Sequence, residues 1–296
     1  MLAFVRRGPA VRRVNLLLLG ALATLGVLYG SRYYRIVYFK ATGTVRVEGS
    51  VYELDPDDRM ITTAILQGGC WEPAETALIR DTLKPGDTFI DVGANFGFYT
   101  VLAARLVGPT GRVIAFEPDP RSFELLRRNV ERNGCTNVVL EQKALSSEPG
   151  TLTLQVSDSN RGGHSVVRGG TEDVSHTVDV PAVRLDDYLS GRDVRVDLVK
   201  IDTEGAEGFI LAGMQDTLRK YPAAKLVLEY TPGKLVNSGY PPDKFMGLLK
   251  PHGFRYAEID EYAHLLHQVV EQDVVDGNLE SLKKRGLTNL YLTRDR

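Results

Sequence analysis

Cysteine is scarce in this sequence: Cys70 and Cys135 are the only two in 296 residues, far apart and without a metal-type spacing. Neither a disulfide framework nor a zinc site is therefore expected. Internal repeats and low-complexity tracts are absent as well. With 43% hydrophobic and 25% charged residues, the composition is ordinary for a globular protein of one large domain or two small ones.

Acidic residues are missing from residues 1–40, which hold seven basic residues. The rest of the chain holds the other 29 of the 36 basic residues and all 38 acidic residues, which gives it a net charge of −9. Nonspecific nucleic-acid binding needs clustered cations on the protein surface. We therefore predict no nucleic-acid partner for the acidic body of the chain.

The basic N-terminal segment contains one long apolar run, VNLLLLGALATLGVLYG, at residues 14–30. As a helix this run would measure about 25 Å, which is near the lower limit for crossing a bilayer. The tyrosines and arginines of the following SRYYRIVYF are typical of a membrane interface. We predict a single-pass membrane anchor through residues 14–30. A cleaved signal peptide and a buried N-terminal helix stay open as alternatives.

Beyond residue 70, predicted strands and helices alternate along the chain. The predicted strands are TFIDVGA, GRVIAFEPD, NVVLEQKAL, RVDLVKID and AKLVLEY, with FRYAEID and NLYLTR as a final strand pair. The segment AEGFILAGMQDTLRKYP is predicted as one helix. Such alternation indicates a parallel sheet covered by helices on both faces. Residues 146–195 interrupt the alternation and are predicted to form an inserted hairpin region.

A glycine turn, DVGANFG, joins the first of these strands to its helix. Its glycines allow a tight turn and a close approach to a ligand, but they do not form the dinucleotide fingerprint G-x-G-x-x-G. Asp91 in this turn suits a ligand with a positively charged end. The next strand ends in Glu117, where an acid accepts hydrogen bonds from ribose hydroxyls. Together the two features favour S-adenosylmethionine over NAD.

Five ordered motifs in this region resemble the FkbM-type methyltransferases, over about residues 71–230: KPGDTFIDVGANFGFYT, GRVIAFEPDP, NVVLEQKALS, VRLDDYL and VDLVKIDTEGAE. The resemblance implies an α/β class I methyltransferase (Rossmann-like) fold, whose seven-stranded sheet is mostly parallel with an antiparallel last strand. It implies S-adenosylmethionine as the methyl donor and O-methylation of a hydroxyl on a sugar, glycolipid or secondary metabolite. Carried onto this sequence, the implied cofactor-binding residues are Asp91, Gly93, Ala94, Asn95, Gly97, Glu117, Pro118, Ala144 and Asp202.

The predicted organisation is an anchor segment at residues 1–40 and a methyltransferase domain at residues 41–296, with its core at 71–230. Because S-adenosylmethionine is made in the cytosol, the resemblance predicts that this domain faces the cytoplasm. The alternative is a noncatalytic membrane-tethered scaffold that keeps the fold. An NAD-dependent oxidoreductase is disfavoured, since the sequence lacks both the glycine fingerprint and a Tyr-x-x-x-Lys pair placed for hydride chemistry.

The stretch KIDTEGAE, residues 200–207, places one lysine and three carboxylates at the end of a buried strand. The sheet order is expected to reverse here, so this strand end should lie beside the glycine turn. Strand alternation puts Lys200 and Asp202 on one face, where each is the expected partner of the other. Glu207 is predicted mainly as an acid of the first helical turn.

A neutral hydroxyl is a weak nucleophile, which a general base activates. The candidate catalytic residues are Asp202, Glu204, Lys200 if burial lowers its pKa, and His164, whose ordinary pKa is close to neutral. A divalent cation on Asp202, Glu204 and Glu229 is conceivable. Nothing in the sequence defines a ligand set, however, and no metal is predicted.

Overall fold

The computed structural model describes residues 32–58, 60–157, 163–166 and 174–294. The predicted N-terminal hydrophobic helix and membrane segment at residues 14–30 lie outside these ranges, so the anchor stays a prediction. Within the described part of the chain, no helix combines the length and apolar character that crossing a bilayer requires.

The strands are, in chain order, β1 (Thr44–Val47), β2 (Ser50–Glu53), β3 (Thr88–Val92), β4 (Arg112–Phe116), β5 (Val138–Glu141), β6 (Ala144–Leu145), β7 (Gly150–Val156), β8 (His176–Val183), β9 (Leu198–Ile201), β10 (Lys225–Tyr230), β11 (Arg255–Asp260), β12 (Leu265–Val269) and β13 (Thr288–Thr293). The α-helices are α1 (Arg32–Thr42), α2 (Ile61–Gly68), α3 (Pro73–Thr82), α4 (Phe98–Val107), α5 (Pro120–Arg132), α6 (Leu185–Leu189), α7 (Glu207–Ala212), α8 (Gln215–Lys220), α9 (Pro232–Asn237), α10 (Pro242–Leu249), α11 (Glu271–Val275) and α12 (Glu280–Arg285).

The central sheet has the strand order β12-β11-β13-β10-β9-β3-β4-β5. Five neighbouring strands, β5, β4, β3, β9 and β10, are parallel, and β13 lies antiparallel between β10 and β11. The predicted sheet and its antiparallel last strand are confirmed. The sequence prediction missed β12, which adds an eighth strand at the edge by pairing antiparallel with β11.

Helices cover both faces of the sheet, as the alternating pattern predicted. On one face Phe89 and Leu198 pack with α2, α3, α4 and α5. On the other face Ile90, Val199 and Ile201 pack with α6 to α10. Because side chains alternate along a strand, Lys200 points to the face that carries α3 and α4, opposite its strand neighbours Val199 and Ile201.

The predicted single helix from Ala206 to Pro222 is wrong, because it is divided into α7 and α8. The division falls at Gly213, where a Cβ atom would lie 2.1 Å from the backbone oxygen of Ser146. This close approach of two backbones permits only glycine at that position. The helical period continues through the break, so the sequence pattern alone does not mark it.

Within residues 146–195, β7 and β8 pair as an antiparallel hairpin. The short strand β6 pairs parallel with β8, which completes a three-stranded sheet. Residues 163–166 follow the hairpin's first strand, and the Ser165 hydroxyl donates to the backbone oxygen of Glu204 at 2.7 Å. This contact holds the described part of the connection against the carboxyl end of β9.

Candidate functional site

The carboxyl ends of β3 and β9 touch through their backbones. At Gly93, just after β3, φ is +83°, and a Cβ atom there would lie 1.9 Å from the backbone oxygen of Asp202. Only glycine satisfies both the positive φ and this contact. The expected neighbourhood of the glycine turn and the charged strand end is therefore confirmed.

Glu117 stabilises the glycine turn from the end of β4. Its Oε2 accepts the N–H of Asn95 at 2.7 Å, and its Oε1 accepts the N–H of Asp119 at 2.8 Å. Asn95 itself has a positive φ of 51°. Burial raises the pKa of Glu117 to about 8, although the two backbone N–H groups act in the opposite direction. Each oxygen keeps a second lone-pair direction for a ligand.

A cleft that is partly open to solvent lies at these strand ends and is called here the strand-end cavity. Apolar side chains and polar groups both line the cavity. The lining residues include Gly93, Asn95, Phe116, Glu117, Pro118, Lys143, Ala144, Leu145, Leu154, His164, Val166, Asp202, Thr203 and Glu204.

Not every predicted cofactor residue reaches this lining. Gly93, Asn95, Glu117, Pro118, Ala144 and Asp202 do, whereas Asp91, Ala94 and Gly97 are not part of it. Asp91 is buried, and its Oδ2 accepts the hydroxyl of Thr100 at 2.5 Å. Gly97 is the N-cap residue of α4 with a φ of 88°. Glycine at this position therefore serves the backbone conformation of the turn and not a contact with the ligand.

Lys200 lies behind the cavity among four carboxylates. Its Nζ is 2.7 Å from Oδ2 of Asp202 and 3.5 Å from Oε1 of Glu75, which confirms the predicted pairing with Asp202. Asp91 lies directly opposite it across β3 and β9, and Glu72 also interacts with its charge. We call these five residues the lysine cluster.

The prediction of Lys200 as a general base depended on a lowered pKa, and the surroundings of Lys200 do not favour it. Burial by itself lowers its pKa, but the carboxylates of Asp202, Glu75, Glu72 and Asp91 outweigh burial and hold the pKa well above its ordinary value. The side chain is 3% exposed and stays protonated. Lys200 therefore acts as a fixed positive charge that orients Asp202.

Sequence reasoning missed two acids at the start of α3, the N-cap residue Glu72 and Glu75 in the first turn. Glu75 accepts the side-chain amide of Asn289 at 2.7 Å, and the Tyr99 hydroxyl donates to Glu72 at 2.9 Å. Burial raises the pKa of Glu72 to about 7. A local signal existed only for Glu75, as an acid in a first helical turn. Its contact with Lys200 depends on tertiary packing.

Asp202 and Glu204 both reach the strand-end cavity, and each is paired with a lysine. Glu204 forms an ion pair with Lys234 of α9, which the sequence did not predict. Glu204 also has a positive φ of 57°, which is rare for a residue with a side chain and is concentrated at functional sites. The structure brings these two predicted catalytic residues together.

His164 lies in the cavity lining, but one ring nitrogen is already engaged. Its Nδ1 accepts the backbone N–H of Ser157 at 3.2 Å, and its Nε2 lies 3.8 Å from Oδ2 of Asp119. The neutral tautomer that fits both contacts carries its proton on Nε2. In this geometry His164 has no nitrogen lone pair facing a substrate, so the arrangement favours a positioning role.

Glu207 stabilises the loop between β9 and α7. Its Oε1 accepts the N–H groups of Thr203 and Gly205, at 2.9 and 3.2 Å, and the Thr203 hydroxyl at 3.0 Å. Glu207 is the first residue of α7, as the sequence predicted for a first-turn acid. These contacts hold the backbone that presents Asp202 and Glu204.

Comparisons with known proteins define the family. The family model described as the methyltransferase FkbM domain matches residues 91–256, more than half of the chain. The protein therefore belongs to the FkbM methyltransferase family, a family of S-adenosylmethionine-dependent enzymes. This confirms the resemblance, the methyltransferase class and the predicted cofactor.

Three relatives illustrate the similarity. Methyltransferase 1 of Beauveria bassiana is 33% identical, with 45% of this chain and 60% of that protein covered. The 31-O-demethyl-FK506 methyltransferase FkbM of Streptomyces tacrolimicus is 31% identical, covering 45% and 62%. The hexuronic acid methyltransferase AglP of Haloferax volcanii is 28% identical, covering 48% and 56%. The chain thus spans less than two thirds of these relatives.

Among solved structures, the methyltransferase FkbM of Methylobacillus flagellatus KT matches 78% of this chain and 52% of its own, with 15% identity and a TM-score of 0.40. The fold assignment rests on the sheet itself. Its parallel core, antiparallel β13 and site at the reversal of strand order are those of the predicted class I methyltransferase fold.

Proposed function

We propose that this protein transfers a methyl group from S-adenosylmethionine to a hydroxyl on a sugar, glycolipid or secondary metabolite. One observation carries the proposal: Glu117 and Asp202 line the same cavity at the point where the strand order reverses. The relatives support the acceptor class, because one is named for 31-O-demethyl-FK506 and another for a hexuronic acid.

The donor side of the cavity suits a nucleoside with a cationic tail. Glu117 offers buried carboxylate lone pairs to ribose hydroxyls, and Ala144 lies among the apolar residues that suit adenine. At Gly93 the backbone can approach a ligand, because there is no Cβ atom. The lysine cluster holds more carboxylates than cations, so its field favours a positively charged methionine portion near Gly93, at the end of β3.

On the acceptor side, Asp202 is our proposed general base. When bound, S-adenosylmethionine supplies an electrophilic methyl group on a sulfonium. Asp202 would accept the proton of the acceptor hydroxyl as the hydroxyl oxygen bonds to that methyl group, while the sulfur–methyl bond breaks and S-adenosylhomocysteine leaves. Lys200 holds one oxygen of Asp202 at 2.7 Å, which fixes the carboxylate's orientation. Glu204 lies beside Asp202 in the cavity lining and would contact the acceptor there.

The test measures transfer of tritium from methyl-labelled S-adenosylmethionine to a panel of sugars, glycolipids and hydroxylated secondary metabolites. With an acceptor found, Asp202→Asn should lower kcat by about 10²–10⁴-fold and still bind S-adenosylhomocysteine. Asp187→Asn, at an exposed acid of α6, is the control and should leave kcat unchanged. Labelled products methylated only on nitrogen or carbon would contradict the proposed O-methylation.

The scaffold alternative gains no support from the family assignment. The N-terminal anchor and the cytoplasmic orientation of the catalytic domain remain part of the proposal. They rest on the apolar run at residues 14–30 and on the cytosolic origin of the methyl donor.

A further inference from the structure

Three carboxylates converge beside the strand-end cavity from the ends of two neighbouring strands. Asp202 and Glu204 follow β9, and Glu229 belongs to β10. One carboxylate oxygen from each of the three lies within 4.8 Å of the others. We infer that Asp202, Glu204 and Glu229 bind a divalent cation that prefers oxygen ligands, such as Mg²⁺, Mn²⁺ or Ca²⁺.

The spacing fits a shared ion. Oxygens lie about 2.0–2.1 Å from Mg²⁺ and about 2.3–2.6 Å from Ca²⁺, so ligands on opposite sides of an ion are separated by roughly twice those lengths. Oxygens within 4.8 Å of one another can therefore meet a common ion with small side-chain movements. Three carboxylates with water or substrate oxygens would complete the six to eight ligands that such ions take.

Glu229 supplies an independent indication of a ligand. Its side chain is 7% exposed. Its Oε1 accepts the Thr231 hydroxyl at 3.2 Å, whereas its Oε2 has no hydrogen-bond partner in the described part of the chain. A buried carboxylate oxygen without a partner is costly, and a cation at the convergence of the three acids would satisfy it.

The local charge balance favours a further cation. Seven acids belong to the lysine cluster or lie near the carboxyl ends of β9 and β10, against two lysines: Glu72, Glu75, Asp91, Asp202, Glu204, Glu207 and Glu229, with Lys200 and Lys234. Each lysine contacts one oxygen of its partner, Oδ2 of Asp202 or Oε2 of Glu204. The second oxygen of each of these two carboxylates can therefore serve as a ligand.

The ion's role follows from its position beside two cavity-lining acids. A divalent cation bound there would hold an acceptor oxygen near the cofactor and lower the pKa of the acceptor hydroxyl. This role rests on the proposed function, whereas the binding of the ion does not.

Binding of Mn²⁺ alone to the full chain tests the site, measured by the loss of the free Mn²⁺ electron paramagnetic resonance signal and by competition with Mg²⁺. The wild type should bind Mn²⁺, and Glu229→Gln should weaken binding by about tenfold or more. The matched control is Glu258→Gln, a buried acid of β11 outside the three ligands. It should leave the affinity unchanged, and thermal melting establishes that both variants fold.

Failure to bind Mn²⁺, or equal affinities for the wild type and Glu229→Gln, would overturn the inference. In that case Glu229 carries a proton instead of facing an ion. Calorimetric binding of S-adenosylhomocysteine without metal separates the two proposals. Retained S-adenosylhomocysteine binding with no Mn²⁺ binding removes the metal site alone, whereas Mn²⁺ binding without methyl transfer counts against the proposed function alone.

Discussion

The backbone oxygen of Asp202 occupies the place where a Cβ atom of Gly93 would be, 1.9 Å from that position. This contact joins the two strand ends that form the proposed donor and acceptor sides of the site. A side chain on residue 93 would push β3 and β9 apart. Gly93 therefore sets the distance between the glycine turn and Asp202, the proposed general base.

Gly93→Ala should destabilise the fold and abolish binding of S-adenosylhomocysteine. Gly134→Ala is the matched control, because its φ is also positive, at +64°, but no atom lies within 4 Å of its Cβ position. Gly134→Ala should lower the free energy of unfolding only by the cost of a positive φ for alanine, about 1–2 kcal/mol. It should keep the affinity for S-adenosylhomocysteine. Urea denaturation and calorimetry check both variants. Equal effects would show that the contact with Asp202 does not matter.

Removing the charge of Lys200 should destabilise the protein strongly. Lys200→Met leaves the carboxylates of Glu75 and Asp202 facing each other without their cation, and breaking a buried pair in this way costs about 3–5 kcal/mol. Lys250→Met removes a 72% exposed lysine and should change stability by less than about 1 kcal/mol. The free energy of unfolding in urea is the measurement. A loss of less than about 1 kcal/mol for Lys200→Met would contradict the claim that this cation stabilises the buried acids of the lysine cluster.

Stability should fall as the pH rises from about 5 to 8. Burial raises the pKa of Glu117 from its ordinary value of 4.5 to about 8. In this window the unfolded state has therefore released a proton that the folded state retains. The slope contributed by one such group is at most about 1.4 kcal/mol per pH unit. Glu72 and Asp91, with pKa values raised to about 7 and about 6, add to it in the lower part of the window.

Urea denaturation at a series of pH values isolates the contribution of Glu117 to the pH dependence of the free energy of unfolding. Glu117→Gln cannot titrate, so its slope between pH 7 and 8 should be flatter than that of the wild type. The absolute stability of the variant is a poor guide, because glutamine can accept only one of the two backbone N–H groups through its oxygen. An unchanged slope would mean that Glu117 is ionised throughout the window.

His164 should tolerate asparagine better than alanine. Asparagine can still accept the backbone N–H of Ser157, the contact that His164 makes at 3.2 Å, whereas alanine cannot. A positioning role predicts that His164→Asn keeps most of kcat and His164→Ala loses more. If His164 is the general base, both variants lose kcat alike, and the pH profile of kcat loses its limb near neutral pH.

The elements with a strong local pattern could be predicted from the sequence. The parallel strands follow from continuous apolar runs, and α5 follows from Pro120 at its start and Gly134 after its end. The pairing of Lys200 with Asp202 follows from strand alternation and the cost of a buried lone charge. These inferences need only neighbours in the chain or the general order of strands in such a sheet.

The parts that escaped prediction depend on contacts between distant residues. Asn289 meets Glu75 across most of the chain, and Lys234 pairs with Glu204 from a different helix. The break at Gly213 exists because the backbone of Ser146 passes there. Lys200 was considered a base because burial lowers the pKa of a lysine, but the number of acids around it is decided by tertiary packing.

The central claim is that the strand-end cavity binds the methyl donor through Glu117. Isothermal titration calorimetry of S-adenosylhomocysteine tests it directly, with Glu117→Ala and, as control, Glu141→Ala, an acid at the end of the adjacent strand and outside the cavity lining. Loss of about two hydrogen bonds to ribose hydroxyls, each worth about 0.5–1.5 kcal/mol, predicts roughly 10- to 100-fold weaker binding for Glu117→Ala. The control should bind as the wild type does. Equal affinity of Glu117→Ala and the wild type, both folded, would contradict the account.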